Sequence, residues 1–180
     1  MRKYLILLIT LLLSATNYIS ASHRESAMSI KRGVELYDSG RWIDARCQFA
    51  KVREMLPTTA VSEYQTVDFY LTMCAVKLNE ADVETQMLNF MNRYKGSAYI
   101  NDINFALASY YCTRDEFDKA RSRFADVNYQ VLTPEQREKY DIRVGYIEFL
   151  DKNYDEAYKY FDRLGVASEY FSIFSSPSLI

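Results

Sequence analysis

Small and apolar residues recur along the chain in one fixed spacing. A small residue is followed by an aromatic nine positions on, an alanine three later, a phenylalanine four later and an aliphatic three after that. The series reads Gly33, Trp42, Ala45, Phe49, Val52, then Ala108, Phe117, Ala120, Phe124, Val127, then Gly145, Tyr154, Ala157, Phe161, Leu164. Small residues let two helix backbones approach closely while aromatics three or four positions away fill the flanks, so each series predicts a helical hairpin. A period near 37 residues predicts a stacked array. Such units bury their apolar faces only against neighbours and offer a groove rather than an enclosing pocket, which points to binding and not to catalysis.

Helix pairs are expected at 27–38 with 42–55, 62–78 with 82–94, 99–113 with 117–130, and 134–151 with 154–164. The second pair is a degenerate unit: Ala75, Leu78, Met87, Phe90 and Met91 fill it, with the alanine and phenylalanine out of register. Thr133, Pro134 and Gln136 predict an N-cap, a first-turn proline and a capping-box partner, and Ser62 with Gln65 predicts a second box. Five glycines and three prolines leave little to interrupt helices, and 180 residues suffice for one elongated domain.

These residues resemble the tetratricopeptide repeat family, most plainly from Gly33 to Pro57, where the family's closing proline falls at the expected distance, and in the run Asn153 to Ala157. The resemblance covers roughly Ser26 to Tyr170. It implies an all-α, TPR-like right-handed superhelical solenoid of antiparallel helix hairpins over 26–171, with repeats at about 26–59, 62–97, 99–133 and 134–168. It further implies a groove lined by the first helix of each pair. Its lining would be Ile30, Val34 and Tyr37, then Phe69 and Val76, then Phe105 and Ser109, then Ile142, Tyr146 and Phe149. The competing reading of each is inter-repeat core. The lysine-and-asparagine clamp with which some members of the family grip a chaperone's carboxylate tail is not matched at the corresponding places. A groove so apolar suits an amphipathic helix or an extended segment with apolar anchors.

The N-terminus sets the expected compartment. Arg2 and Lys3 precede an apolar run from Tyr4 to Leu13, followed by small and polar residues up to Ala21 and Ser22. That pattern predicts a signal peptide over 1–21, and hence a periplasmic or secreted protein. The run is short for a transmembrane helix. The first cysteine, Cys47, stands too far from it to be a lipid-attachment site. Removing Arg2 and Lys3 lowers the 22 basic residues to 20 against 24 acidic ones, so the formal charge goes from −2 to −4. No basic cluster could follow a phosphate backbone, which argues against a nucleic-acid partner. The mixed-sign runs Arg41 to Arg46 and Arg114 to Arg123 read as solvated helix faces.

Candidate chemistry is sparse. The one histidine, His23, sits beside the expected cleavage site, so neither a histidine-based nucleophile relay nor a multi-histidine metal site has members to recruit. No glycine loop could cradle a phosphate, and no cofactor is expected. The pairs Asp115 with Glu116 and Asp155 with Glu156 fall at the entry of a second helix, where carboxylates complement the helix dipole. Cys47, Cys74 and Cys112 form no Cys-x-x-Cys pair and are expected to be small buried hydrophobes, a Cys47–Cys74 bridge being the alternative. The expected function is therefore a non-enzymatic protein-interaction scaffold of the bacterial cell envelope. Sixteen tyrosines keep an exported glycan- or nutrient-binding accessory protein as the alternative. Ala167 to Phe174 begins like the first helix of another pair, and 172–180 is expected to be irregular, as if the array were truncated.

Overall fold

The computed structural model describes residues 24–165. The expected signal peptide and the segment 166–180 lie outside the described residues. Eight α-helices and no strand occur among them: α1 at 24–38, α2 Trp42–Met55, α3 Val61–Leu78, α4 Val83–Arg93, α5 Ile100–Cys112, α6 Phe117–Ala125, α7 Pro134–Leu150 and α8 Tyr154–Arg163. A short 3-10 helix, Tyr129–Val131, precedes α7. No helix among the described residues is long and apolar enough to cross a membrane. The chain divides into two compact units, Met1–Tyr94 and Lys95–Ile180, so two helix pairs fall in each.

One chain reversal occurs four times. α1, α3, α5 and α7 each end at a left-handed residue: Gly40 (φ 77°), Asn79 (φ 53°), Asp115 (φ 57°) and Lys152 (φ 65°). In every case its N–H donates to the carbonyl three residues back. The next N–H donates to the carbonyl five back: Arg41 to Leu36, Glu80 to Ala75, Glu116 to Tyr111 and Asn153 to Glu148, at 2.9–3.1 Å. This pairing satisfies carbonyls that a helix end would otherwise leave orphaned, and it turns the chain sharply enough for a second helix to fold back.

Packing within each unit follows from the small residues seven positions before that reversal: Gly33, Thr72, Ala108 and Gly145. A Cβ on Gly33 would lie 2.6 Å from Cε1 and Cζ of Phe49, and one on Gly145 would lie 2.9 Å from Cε1 of Phe161. Each phenylalanine ring thus packs directly against bare backbone. Phe49 is fully buried and stacks on Tyr70 of α3, with centroids 4.9 Å apart and planes 8° apart. Around it Ala45, Val52, Leu56, Ala60, Val67 and Cys74 make the core of the first unit. In the second unit Ile103, Leu107, Ala108, Ala120, Phe124, Val144 and Ile147 are buried, while Ala157 and Phe161 close the α7–α8 pair.

The degenerate register of the second pair has a physical cause, and two other local expectations need correction. In the second pair the reversal at Asn79 is followed by two extra residues, Ala81 and Asp82, before α4 starts at Val83. Phe90 therefore falls eighteen residues after Thr72, where the other pairs have sixteen, which is why the pattern dropped out of register there. The box expected at Ser62 and Gln65 does not form. Ala60 is the N-cap and Ser62 lies inside the first turn, because Leu56 and Ala60 are seated in the core and fix where the chain enters α3. Helix α6 stops at Ala125 rather than continuing to 130. The Asn128 side chain accepts from the N–H of Gln130 at 3.1 Å and diverts the chain into the 3-10 turn. The Thr133–Gln136 box is present in full, with Pro134 in the first turn.

All three cysteines are free thiols, but only Cys74 is fully buried; Cys112 is half-buried and Cys47, expected among apolar neighbours, is exposed. Burial pushes the Cys74 thiol up to about 11 and raises that of Cys112 as well. Maleimide labelling of the native protein is expected to modify Cys47 within minutes, Cys112 more slowly, and Cys74 only after unfolding, since the thiolate is the reacting form. Mass-spectrometric site mapping over time checks the order; early modification of Cys74 would show that its packing opens readily.

Candidate partner-binding face

Counted back from the left-handed residue, the ten residues expected to line a groove occupy three positions only. Ten back stand Ile30, Phe69, Phe105 and Ile142; six back Val34, Ser109 and Tyr146; three back Tyr37, Val76 and Phe149. The two positions missing from that set are Met73 and Cys112.

Their surroundings differ from unit to unit. In the first unit Ile30, Val34 and Tyr37 pack against the core around Phe49, and Tyr37 meets Tyr70 edge-on at 5.3 Å. Phe69 is buried, edge-on to Tyr70 and to Phe90, and Val76 is half-buried. In the second unit Phe105 is buried edge-on to Phe124. Phe149 packs against Ala157 and Phe161, with its ring 5.4 Å from Tyr154. Ile142 and Tyr146 stand out: both lie on α7 with 43% and 46% of their surface exposed, and Leu150, one turn further on, is exposed as well. Positions four apart share one helix face, so these three form an apolar stripe. Phe117, entering α6, meets the ring of Tyr146, the middle member of the stripe, edge-on at 5.9 Å.

Between this stripe and α5 lies a polar group that the apolar pattern did not flag. Arg143 Nη1 donates to Ser109 Oγ at 2.7 Å, and that hydroxyl donates in turn to the carbonyl of Phe105 at 2.6 Å. The guanidinium is partly buried and close enough to Cys112 to feel its charge; burial pulls its pKa down. No carboxylate among the described residues pairs with it. The available signal was a lone arginine between Ile142 and Val144 in an otherwise apolar stretch of α7.

Several other arginines are matched by acids, whereas Arg137 donates to the Gln130 carbonyl at 2.6 Å and its buried Nε has no hydrogen-bond partner among the described residues. One residue before the first of the expected groove positions, eleven back from the reversal, stand Ser29, Asp68, Asn104 and Asp141. Asp68 accepts from Arg53 at 2.5 Å, from Arg93 at 3.1 Å and from the Tyr94 hydroxyl at 2.7 Å. Asp141 accepts from the Tyr129 hydroxyl at 2.7 Å and from Arg163 at 3.0 Å. Burial and the adjoining carboxylate raise the phenol pKa of Tyr94 and Tyr129. Arg121 pairs with Glu148 and Asp151, tying α6 to the end of α7. Asn104, buried at the third of these positions, leaves its Oδ1 without a partner.

A cleft of about 270 Å³ opens beside Asp68, lined by Arg53, Thr72, Gln86, Asn89, Phe90, Arg93 and Tyr94, among others. No group of three or more potential metal-ligating side chains comes together among the described residues. The acidic pairs sit as entry residues: Glu116 is the N-cap of α6 and is held by Arg114 and Lys119, while Asp155 and Glu156 occupy the first turn of α8. No family model, no curated protein and no solved structure matches the chain.

Proposed function

We propose that this chain is a non-enzymatic interaction scaffold of the bacterial cell envelope, a TPR-like solenoid of helix hairpins that receives a segment of another protein on the faces of its first helices. The observation that carries this reading is the exposed stripe Ile142, Tyr146 and Leu150 on α7. It coincides at Ile142 and Tyr146 with the face expected to bind. Large apolar side chains left uncovered in a row mark interaction surfaces more often than singly scattered ones do. The four-fold recurrence of one reversal supports the repeat assignment, since each pair turns back on itself through the same two hydrogen bonds at the same positions. Export to the periplasm or beyond rests on the sequence of residues 1–21.

The glycan reading has less to stand on. The polar groups that give the Asp68 cleft its character are engaged with one another: Asp68 with Arg53, Arg93 and Tyr94, and Gln86 with Glu80 and Asp82. A sugar would have to compete with those bonds.

The test is photo-crosslinking in the native cell, with the reactive side chain placed at Tyr146 and, as a control, at the exposed Lys51 on α2. A discrete protein adduct from position 146 is expected, absent from position 51 and abolished by Ile142→Asp with helicity unchanged. Properly exported, folded protein that gives no adduct at 146 would overturn the reading.

A further inference from the structure

Arg143 is the one feature of the α7 face that the apolar stripe does not account for. A guanidinium carries five N–H donors in a planar fork, and removing it from water is costly unless an anion or several acceptors replace the solvent. Arg53, Arg93, Arg121 and Arg163 meet that demand with carboxylates of this chain, and Arg137, without one, lies over the Tyr129 ring and donates to the Gln130 carbonyl. Arg143 is partly buried, and its one hydrogen-bond partner among the described residues is the oxygen of Ser109, whose single proton is already given to the Phe105 carbonyl. Ser109 thereby holds one edge of the fork against α5 and leaves the rest of it unmatched.

Resting on the scaffold reading above, we infer that the partner segment delivers a carboxylate side chain to Arg143, flanked by aliphatic or aromatic residues that cover Ile142 and Tyr146. Charge complementarity selects this occupant. The face combines an unmatched cation with exposed apolar surface one residue and three residues away along α7. An acidic residue between apolar ones fits both demands, whereas a wholly apolar segment would bury the guanidinium unpaired and a basic one would be repelled. Arginine suits the role better than lysine, because its fork can grip both carboxylate oxygens at once.

Selection of random twelve-residue peptides on the full-length mature protein, followed by affinity measurement of the winners, tests this. The expected winners contain Asp or Glu beside apolar residues. Changing that acid to Asn or Gln in the peptide, against the unaltered protein, should weaken binding about tenfold or more, so the result does not depend on how an Arg143 variant folds. Arg143→Met should produce a similar loss, and Arg143→Lys should recover part of it. Winners without acidic enrichment, or with affinity unchanged in these swaps while Ile142→Asp still abolishes it, would overturn the carboxylate pairing and leave the scaffold reading standing. Winners indifferent to both Ile142→Asp and Arg143→Met, or no winners at all, would overturn both. Self-association seen by sedimentation and lost in Arg143→Met would make a second copy of this chain the occupant and likewise overturn the inference.

Discussion

Phe49→Ala is expected to cost about 3–5 kcal/mol, the range for removing a fully buried aromatic from a core that cannot collapse around the gap. Collapse is blocked on both sides. Below the ring lies the backbone of α1 at Gly33, which cannot move without displacing a helix. Above it lies Tyr70, stacked at 4.9 Å and itself edge-on to Tyr37 and Phe69. The single tryptophan, Trp42, is on α2 in the same unit, so its fluorescence during denaturant unfolding reads the loss directly. The companion experiment fills the opposite side. Gly33→Leu alone should also destabilise, because even its Cβ would fall 2.6 Å from the ring. The helix-propensity gain over glycine, about 1 kcal/mol, is too small to offset that. Combined, Gly33→Leu and Phe49→Ala should be markedly less harmful than their sum, since the new side chain occupies the space the ring leaves. Strict additivity would mean that Gly33 and Phe49 do not share a contact, and the account of the repeated spacing would fail with it.

The second large effect is expected at Asp141. Its carboxylate, only 3% exposed, accepts from the Tyr129 hydroxyl and from Arg163, joining the 3-10 turn, α7 and the end of α8 at one point. Asp141→Ala should cost about 2–3 kcal/mol, from two charge-assisted hydrogen bonds lost in a buried setting. The value stays below that for severing a wholly buried ion pair because the Arg163 side chain is 48% exposed and can return to water. Asp141→Asn keeps an acceptor but not the charge and should lose roughly half as much. Chemical denaturation followed by circular dichroism measures both. A cost under about 0.5 kcal/mol for Asp141→Ala would class the cluster with ordinary surface ion pairs.

Much of the fold was legible because the repeated spacing is a direct record of close helix contact. Gly33 and Gly145 had to be small for Phe49 and Phe161 to reach the opposite backbone, so residue size and distance along the chain stood in for distance in space. The Thr133 cap was equally readable, being wholly local. The second pair was harder: two residues inserted after Asn79 moved Phe90 out of phase without altering the reversal that precedes it. Ser62 misled for the same kind of reason, since the start of α3 is set by the burial of Leu56 and Ala60, a tertiary event.

By itself, the sequence determined that the described residues are helical, how they pair, and which three positions of each first helix face the same way, because these follow from side-chain size and helical period. The tertiary structure alone decided which of those positions remain uncovered. Phe69 and Phe105 are covered by neighbouring rings while Ile142 and Tyr146 stay in solvent. Burial depends on what packs alongside, and no residue's identity encodes that. The same holds for charge. Asp68, Asp141 and Arg143 are ordinary charged residues in the sequence, and only the distances between helices show that the two acids are satisfied and the arginine is not.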